Sequence, residues 1–185
     1  MKNKKILIFG SSGFLGRHLV QSLCENNDII QFDLNKPSES LRGVKYIQGS
    51  ILDKTLISKA MEDVNIVYHF AAMTDIDKVN KNPAQAIEIN IAGTTNILEC
   101  CIQKNIERFV FSSSVYVYSN HGGVYKSTKQ ACELLIKEYN KMYGLNYSIL
   151  QLGSVYGPGA ERTNLISRLI HEAITKNEME QVIDF

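Results

Sequence analysis

Lys5-Ile6-Leu7-Ile8-Phe9, followed without a break by Gly10-Ser11-Ser12-Gly13-Phe14-Leu15-Gly16, is an apolar run that stops on a turn with a glycine at every third position. The run has the length and side chains of a buried strand, and residues 14 to 25 repeat apolar positions at helical spacing. Glycine lets the backbone turn tightly and approach a ligand closely. A helix that starts on such a turn offers unpaired N–H groups and the positive end of its dipole, which together suit a pyrophosphate. A cofactor-phosphate site built from Gly10, Gly13, Phe14, Leu15 and Gly16 is therefore expected.

The same alternation runs outward from this unit. Strands are expected in DIIQFD (28–33), VKYIQG (44–49), NIVYHFAA (65–72), RFVFSSS (108–114) and NYSILQLG (146–153), with helices over 53–62, 83–104, 125–143 and 162–176. Such β-α-β-α order implies an α/β fold, a doubly wound parallel sheet with helices on both faces and right-handed crossovers. Asn82-Pro83 supplies an N-cap with proline in the first helical position, and Gly144 closes the helix that begins near Tyr125. Ile87, Ile91, Thr94, Leu98 and Cys101 or Ile102 keep one face of the 83–104 helix inward. No repeat, low-complexity tract or long linker interrupts the chain, so residues 1–185 are expected to form one nucleotide-binding domain.

Composition narrows the partners. Twenty Lys and Arg against nineteen Asp and Glu leave a net charge of +1, so no global field draws the chain to nucleic acid or membrane. The apolar run Ile6 to Phe9 is too short for a signal-peptide core or a membrane span, and a cytoplasmic location is expected. Cys24, Cys100, Cys101 and Cys132 lack metal-ligand spacing and are expected as buried free thiols, with no metal site. His69 ends a buried strand, where a structural role is expected, and no chemistry is assigned to His18 and His121.

Asp33 ends the second strand, 17 residues beyond Gly16, where a carboxylate can accept hydrogen bonds from both ribose hydroxyls and would repel a 2′-phosphate. No arginine follows it, so NAD is expected over NADP. Tyr125-Lys126-Ser127-Thr128-Lys129 places a phenol and an amine at i and i+4, side by side on a helix. A phenol with a pKa near ~10 is a weak base at neutral pH, and a neighbouring ammonium together with a cationic nicotinamide favours the phenolate. Tyr125 and Lys129 are thus expected at the chemical centre and against the cofactor.

The order of motifs is informative. After the glycine turn come His69-Phe70-Ala71-Ala72, Asn90, Phe111-Ser112-Ser113-Ser114 with Val117-Tyr118, then Tyr125 and Lys129, then Val155-Tyr156-Gly157-Pro158-Gly159. This succession resembles the extended short-chain dehydrogenase/reductases, the NAD-dependent epimerase/dehydratase family with its Rossmann fold, along essentially the whole chain. The resemblance implies that Phe70, Ala71 and Ala72 line the cofactor pocket, that Asn90 lies in the helix supporting the active site, and that the catalytic serine is Ser114. Ser112 and Ser113 would pack beside it. Relatives carry Gly-Asp-Ile or Gly-Asp-Leu after the third strand, their aspartate meeting the adenine amine. Here Gly49-Ser50-Ile51 stands in that place, so Ser50 and Ile51 are the expected adenine-side residues, while Asp53 is expected to cap the next helix.

Family chemistry assigns the serine to the reacting hydroxyl, the tyrosine to its proton and the nicotinamide to the hydride. The reading that follows is an NAD-dependent nucleotide-sugar epimerase or oxidoreductase. Val115 and Tyr116 stand where dehydratases carry an acidic pair, which disfavours dehydration. Only ten residues separate Ser114 from Tyr125, and Gln151 and Ser154 replace a common arginine and asparagine. The sequence stops at Phe185, where relatives continue into a lobe that grips the substrate's nucleotide diphosphate, so that lobe is expected to be absent or truncated. Two alternatives stay open: an NAD-binding module without catalysis, and a small-carbonyl reductase of the same fold. A homodimer through helices 83–104 and 125–143 is expected by resemblance, with Ile97, Leu98, Cys101, Leu134, Leu135 and Met142 as apolar positions beyond one sheet-facing stripe.

Overall fold

The computed structural model describes residues 2–160 and 165–176. Strands β1 (Lys5–Phe9), β2 (Asp28–Asp33), β3 (Lys45–Gln48), β4 (Ile66–His69), β5 (Arg108–Ser114) and β6 (Tyr147–Leu152) form one sheet in the order β3-β2-β1-β4-β5-β6. The pairings β1–β2, β1–β4, β2–β3 and β4–β5 are all parallel, with Ile6 opposite both Ile29 and Ile66. The helices are α1 (Phe14–Leu23), α2 (Lys54–Ala60), α3 (Ile76–Lys81), α4 (Pro83–Ile87), α5 (Gly93–Gln103), α6 (Gly123–Tyr143) and α7 (Leu165–Lys176). The chain divides into two compact units, Met1–Gln151 with the sheet and Leu152–Phe185 with α7.

Alternation along β1 explains why both faces need cover. Leu7 and Phe9 enter a core with Phe32, Ile57, Ile97, Leu98, Cys132 and Ile136, under α2, α5 and α6. Ile6 and Ile8 enter a second core with Ile29 and Val20, under α1. Each such buried side chain contributes roughly 1.5–3 kcal/mol relative to exposure. The order of strands reverses between β1 and β4, so their carboxyl ends diverge and leave the crevice where doubly wound sheets bind ligands.

The expected helix over 83–104 is interrupted. Between α4 and α5 the residues Glu88–Ala92 form a wide π turn. The Asn90 carbonyl accepts from Thr94 Oγ1 at 2.5 Å and Cys132 Sγ at 3.1 Å. The wide turn shifts the helical phase of everything before it. Ile87, expected inward, is consequently 50% exposed, and Ala86 takes the buried position. A helix absent from the sequence reading, α3, precedes it and is capped by Asp75, whose Oδ1 accepts from Lys78 N at 3.1 Å. Asn82 stands at the N-cap of α4 with Pro83 after it, but its side chain makes no N-terminal cap. Its Nδ2 instead donates to Lys78 O at 3.1 Å and closes α3.

Cys100, Cys101 and Cys132 are buried, and burial raises all three thiols. Cys24, expected buried, is only half-buried at the end of α1, where solvent reaches the last helical turn. In the second unit α7 exposes Ile170 and Ile174 and half-covers Leu169. Positions 162–164 of the expected helix, and the Leu165 side chain, lie outside the described residues. Among the described residues no helix is long and apolar enough to cross a membrane.

Candidate active site

Gly10 leaves β1 with φ of +76°, in the left-handed region, and a Cβ there would lie 2.5 Å from Ala71 N and 2.7 Å from the Phe70 carbonyl carbon. The turn after β1 and the turn after β4 are thus in backbone contact across the crevice. At Gly16 a Cβ would meet Gly10 O at 2.2 Å, which presses α1 directly onto the turn. Gly13 is the N-cap of α1 and supplies no side-chain cap. The first N–H groups of the helix consequently have no intrahelical partner and face an anion's place.

Asp33 sits at the rim. Its Oδ2 accepts from Ser12 N at 3.0 Å and its Oδ1 from Asn35 N at 2.9 Å, which ties the end of β2 to the glycine turn. A carboxylate oxygen has a second lone pair, so both remain able to accept from a diol. Ser50 Oγ accepts from Leu52 N at 3.1 Å, and Ile51 is buried in the core beneath Gly93. Asp53 caps α2 as expected, accepting from Leu56 N at 2.9 Å. Phe14 and Leu15 are half-buried in the first turn of α1, with the Phe14 ring edge-on to His18.

β5 runs into a tight 3₁₀ turn, Val115–Tyr118, and α6 starts five residues later at Gly123, which like Gly122 before it has a positive φ. Ser114 ends the strand and caps the turn, its Oγ accepting from Tyr116 N at 3.3 Å. Tyr125 lies in the first turns of α6 with Lys129 one turn on. Burial raises the Tyr125 phenol above its ordinary range, a hydrogen bond with Ser114 draws it down, and the neighbouring Tyr116 raises it. Lys129 is not among those influences. Its Nζ donates instead to Ser112 O at 2.8 Å and lies 4.6 Å from the centre of the Phe111 ring and 5.7 Å from that of Tyr125. Fully enclosed there, the amine is lowered by burial to about 8.

Asn90 joins these pieces. Its Oδ1 accepts from Met73 N at 2.7 Å, and its Nδ2 donates to Met73 O at 3.0 Å and Thr128 Oγ1 at 3.1 Å. The segment after Phe70-Ala71-Ala72 is thereby fastened to the helix face that carries Tyr125 and Lys129. His69 is structural: its Nε2 is paired with Thr94 Oγ1 at 3.0 Å, and burial, aided by Lys129, lowers it to about 3, so the ring is neutral.

Residues 6–183 match the NAD dependent epimerase/dehydratase family. The chain belongs to this family. It is 36% identical over 172 residues to a putative UDP-glucose 4-epimerase of Methanocaldococcus jannaschii, covering 82% of this chain and 56% of that protein. Among solved structures, the UDP-N-acetylglucosamine 4-epimerase of Methanobrevibacter ruminantium, in complex with UDP-N-acetylmuramic acid, aligns with a TM-score of 0.86 at 25% identity over 96% of this chain and 64% of that one. The UDP-glucose 4-epimerase of Thermus thermophilus, in complex with NAD, aligns at 0.80 and 26% identity over 91% and 61%. The chain therefore spans little more than half the length of the archaeal relative and under two thirds of the two solved chains.

For this member of an NAD-dependent family, the structure brings Gly10 against Phe70 and Ala71 and Gly16 against Gly10, and Asn90, Thr128, Ser114, Tyr125 and Lys129 into one linked group. Two residues of that neighbourhood escaped the sequence reading as site residues. Thr128 receives the Asn90 amide, and Glu133 is buried one turn beyond Lys129. The i, i+4 and i+8 spacing of Tyr125, Lys129 and Glu133 was a usable signal, because it places all three along one face of α6.

Proposed function

We propose that the chain is the NAD-binding, proton-transferring half of a nucleotide-sugar epimerase or oxidoreductase. One observation carries this reading: a half-buried phenol, Tyr125, drawn down by the Ser114 hydroxyl, is held one helical turn from a fully buried amine, Lys129, beside the crevice where the sheet reverses. The crevice suits a dinucleotide, since the uncapped first turn of α1 offers N–H donors and Asp33 offers a diol acceptor at the rim. Gly10, Gly13, Phe14, Leu15 and Gly16 would hold the pyrophosphate, Asp33 a ribose, Ser50 and Ile51 the adenine side, and Phe70 to Ala72 with Asn90 the floor. Bound there, NAD supplies the hydride acceptor and donor.

The chain's own residues handle the proton. Ser114 hydrogen-bonds the reacting hydroxyl, and Tyr125 Oη, in reach of the same group, removes its proton and returns it once the sugar has turned over. Enclosure of Lys129 keeps water from that side of the phenol. Val115 and Tyr116, exposed in the turn after Ser114, supply no carboxyl for eliminating water, which supports epimerisation or oxidation over dehydration.

Calorimetry with NAD, followed by an epimerisation assay on uridine-diphosphate sugars, tests the proposal. Residues 1–185 by themselves are expected to bind NAD, because the glycine turn, Asp33 and the crevice between β1 and β4 all lie within them. Failure to bind NAD would sink the reading.

Cofactor preference follows from Asp33. NAD should bind more tightly than NADP, since a 2′-phosphate beside the carboxylate is repelled, and Asp33→Ala should narrow the gap. Equal affinities in the unmodified chain, measured by titration of both cofactors, would remove Asp33 from this role.

A homodimer through α5 and α6 forms part of the same reading. Ile97, Leu98 and Cys101 are consumed by the chain's own core, but Leu134 and Met142 are 63% and 65% exposed on α6. Light scattering at micromolar concentration should give twice the chain mass, and Leu134→Lys should halve it. A single-chain mass for the unmodified protein would overturn the dimer.

A further inference from the structure

Glu133 is 8% exposed, and a buried carboxyl must find hydrogen-bond donors. Its Oε1 accepts from Ser113 Oγ at 2.5 Å, and Gln151 Nε2 donates to Oε1 at 3.1 Å and Oε2 at 3.3 Å. Gln151 in turn accepts through Oε1 from Tyr118 Oη at 2.9 Å. Among the described residues no cation is paired with Glu133. A polar group thus buried among neutral donors is held for geometry, because replacing the whole set by apolar side chains would cost little.

The geometry concerns Ser114. That residue is both the last of β5 and the cap of the Val115–Tyr118 turn. The residue before it, Ser113, is bonded to Glu133 directly, and the residue that ends the turn, Tyr118, is bonded to Glu133 through Gln151. Both ends of the segment that carries Ser114 are therefore fastened to α6, the helix that carries Tyr125. We propose that Glu133 is a positioning residue: by gripping Ser113 and Gln151 it sets the height and rotamer of Ser114 against the Tyr125 hydroxyl. This rests on the reading of Ser114 and Tyr125 as the reacting pair.

The test needs no turnover. In protein labelled with ¹³C at tyrosine Cζ, the Tyr125 resonance is assigned by its loss in Tyr125→Phe and followed against pH. Ser114→Ala removes the hydrogen bond that draws the phenol down and sets the reference shift. Ser113→Ala and Glu133→Met should shift Tyr125 in the same upward direction, lowering its phenolate fraction at a given pH by roughly 2- to 10-fold, the worth of one hydrogen bond. Ser113→Thr, which keeps the hydroxyl, should restore the unmodified titration. Ser113→Ala decides the matter if Glu133→Met does not fold. A folded Ser113→Ala that melts earlier but titrates at Tyr125 like the unmodified chain would leave Glu133 a purely structural group and overturn the proposal. No response to Ser114→Ala would instead remove the Ser114–Tyr125 pairing itself, and the proposal with it.

Discussion

Tyr125→Phe should lower turnover of a nucleotide sugar by ~10²–10⁴-fold, the usual contribution of a positioned acid-base group, while leaving NAD affinity almost unchanged. The substitution deletes one oxygen from a half-buried ring and leaves the ring's contacts on α6 in place. What disappears is the group that moves the proton and the partner of Ser114. In the chain by itself the phenol is held above its ordinary range by burial, so it begins as a poor base. Ser114 draws it down, and a cationic nicotinamide would draw it further. Turnover should therefore rise with pH towards the alkaline side, and Ser114→Ala should move that rise upward. The decisive measurement is kcat beside a calorimetric NAD titration; a Tyr125→Phe protein that keeps a near-normal kcat removes the proton-transfer role.

Lys129→Met should lose stability relative to the unmodified chain between about pH 8 and pH 9. Burial lowers Lys129 from 10.5 to about 8, which corresponds to a cost of about 3 kcal/mol for holding the ammonium below pH 8. Between the folded value and the unfolded one the unfolded chain binds more protons, so stability rises with pH in that window. Relative to Lys129→Met, the unmodified chain should gain about 1 kcal/mol from pH 8 to pH 9 in urea unfolding. Across the same window the raised thiols of Cys100, Cys101 and Cys132 act in the opposite sense, since burial makes them keep protons that the unfolded thiols release, but that burial is common to both proteins, and the difference between the two proteins isolates Lys129. Methionine removes the amine at similar volume but strands Ser112 O, whose lost partner costs about 1–3 kcal/mol. The two effects nearly cancel at pH 7, so Lys129→Met should fold with near-normal stability there and lie below the unmodified chain by pH 9. Equal pH slopes in the two proteins would show that Lys129 is hydrated rather than enclosed.

Much of the framework was legible from local pattern. The run from Lys5 to Phe9, the glycines at 10, 13 and 16, and the β-branched strand segments fixed the α/β class, because strand and helix periodicities are properties of adjacent residues. The cap at Asp53 and the left-handed stop at Gly144 are equally local, each depending on a few neighbouring residues. Tyr125 and Lys129 were found because i and i+4 are adjacent on any helix.

Other features depended on residues far apart in sequence. The π turn at Glu88–Ala92 and the exposure of Ile87 follow from Asn90 being bonded to Met73, Thr128 and Cys132, contacts that no window along the chain contains. Sequence placed an amine beside a phenol and so implied electrostatic help. The fold turned that amine onto Ser112 O and the Phe111 ring, and buried it. The surplus apolar positions of α5 looked like an interface until the sheet absorbed Ile97, Leu98 and Cys101. By itself, then, the sequence determined the order of the strands, the glycine turn and the spacing of the Tyr125–Lys129 pair, since those are encoded in short-range periodicity and backbone permission. Only the tertiary structure decided how deeply Lys129 is buried, which hydroxyl Glu133 holds and how Ser114 meets Tyr125, because burial and hydrogen-bond partnership are set by whatever the rest of the chain brings alongside.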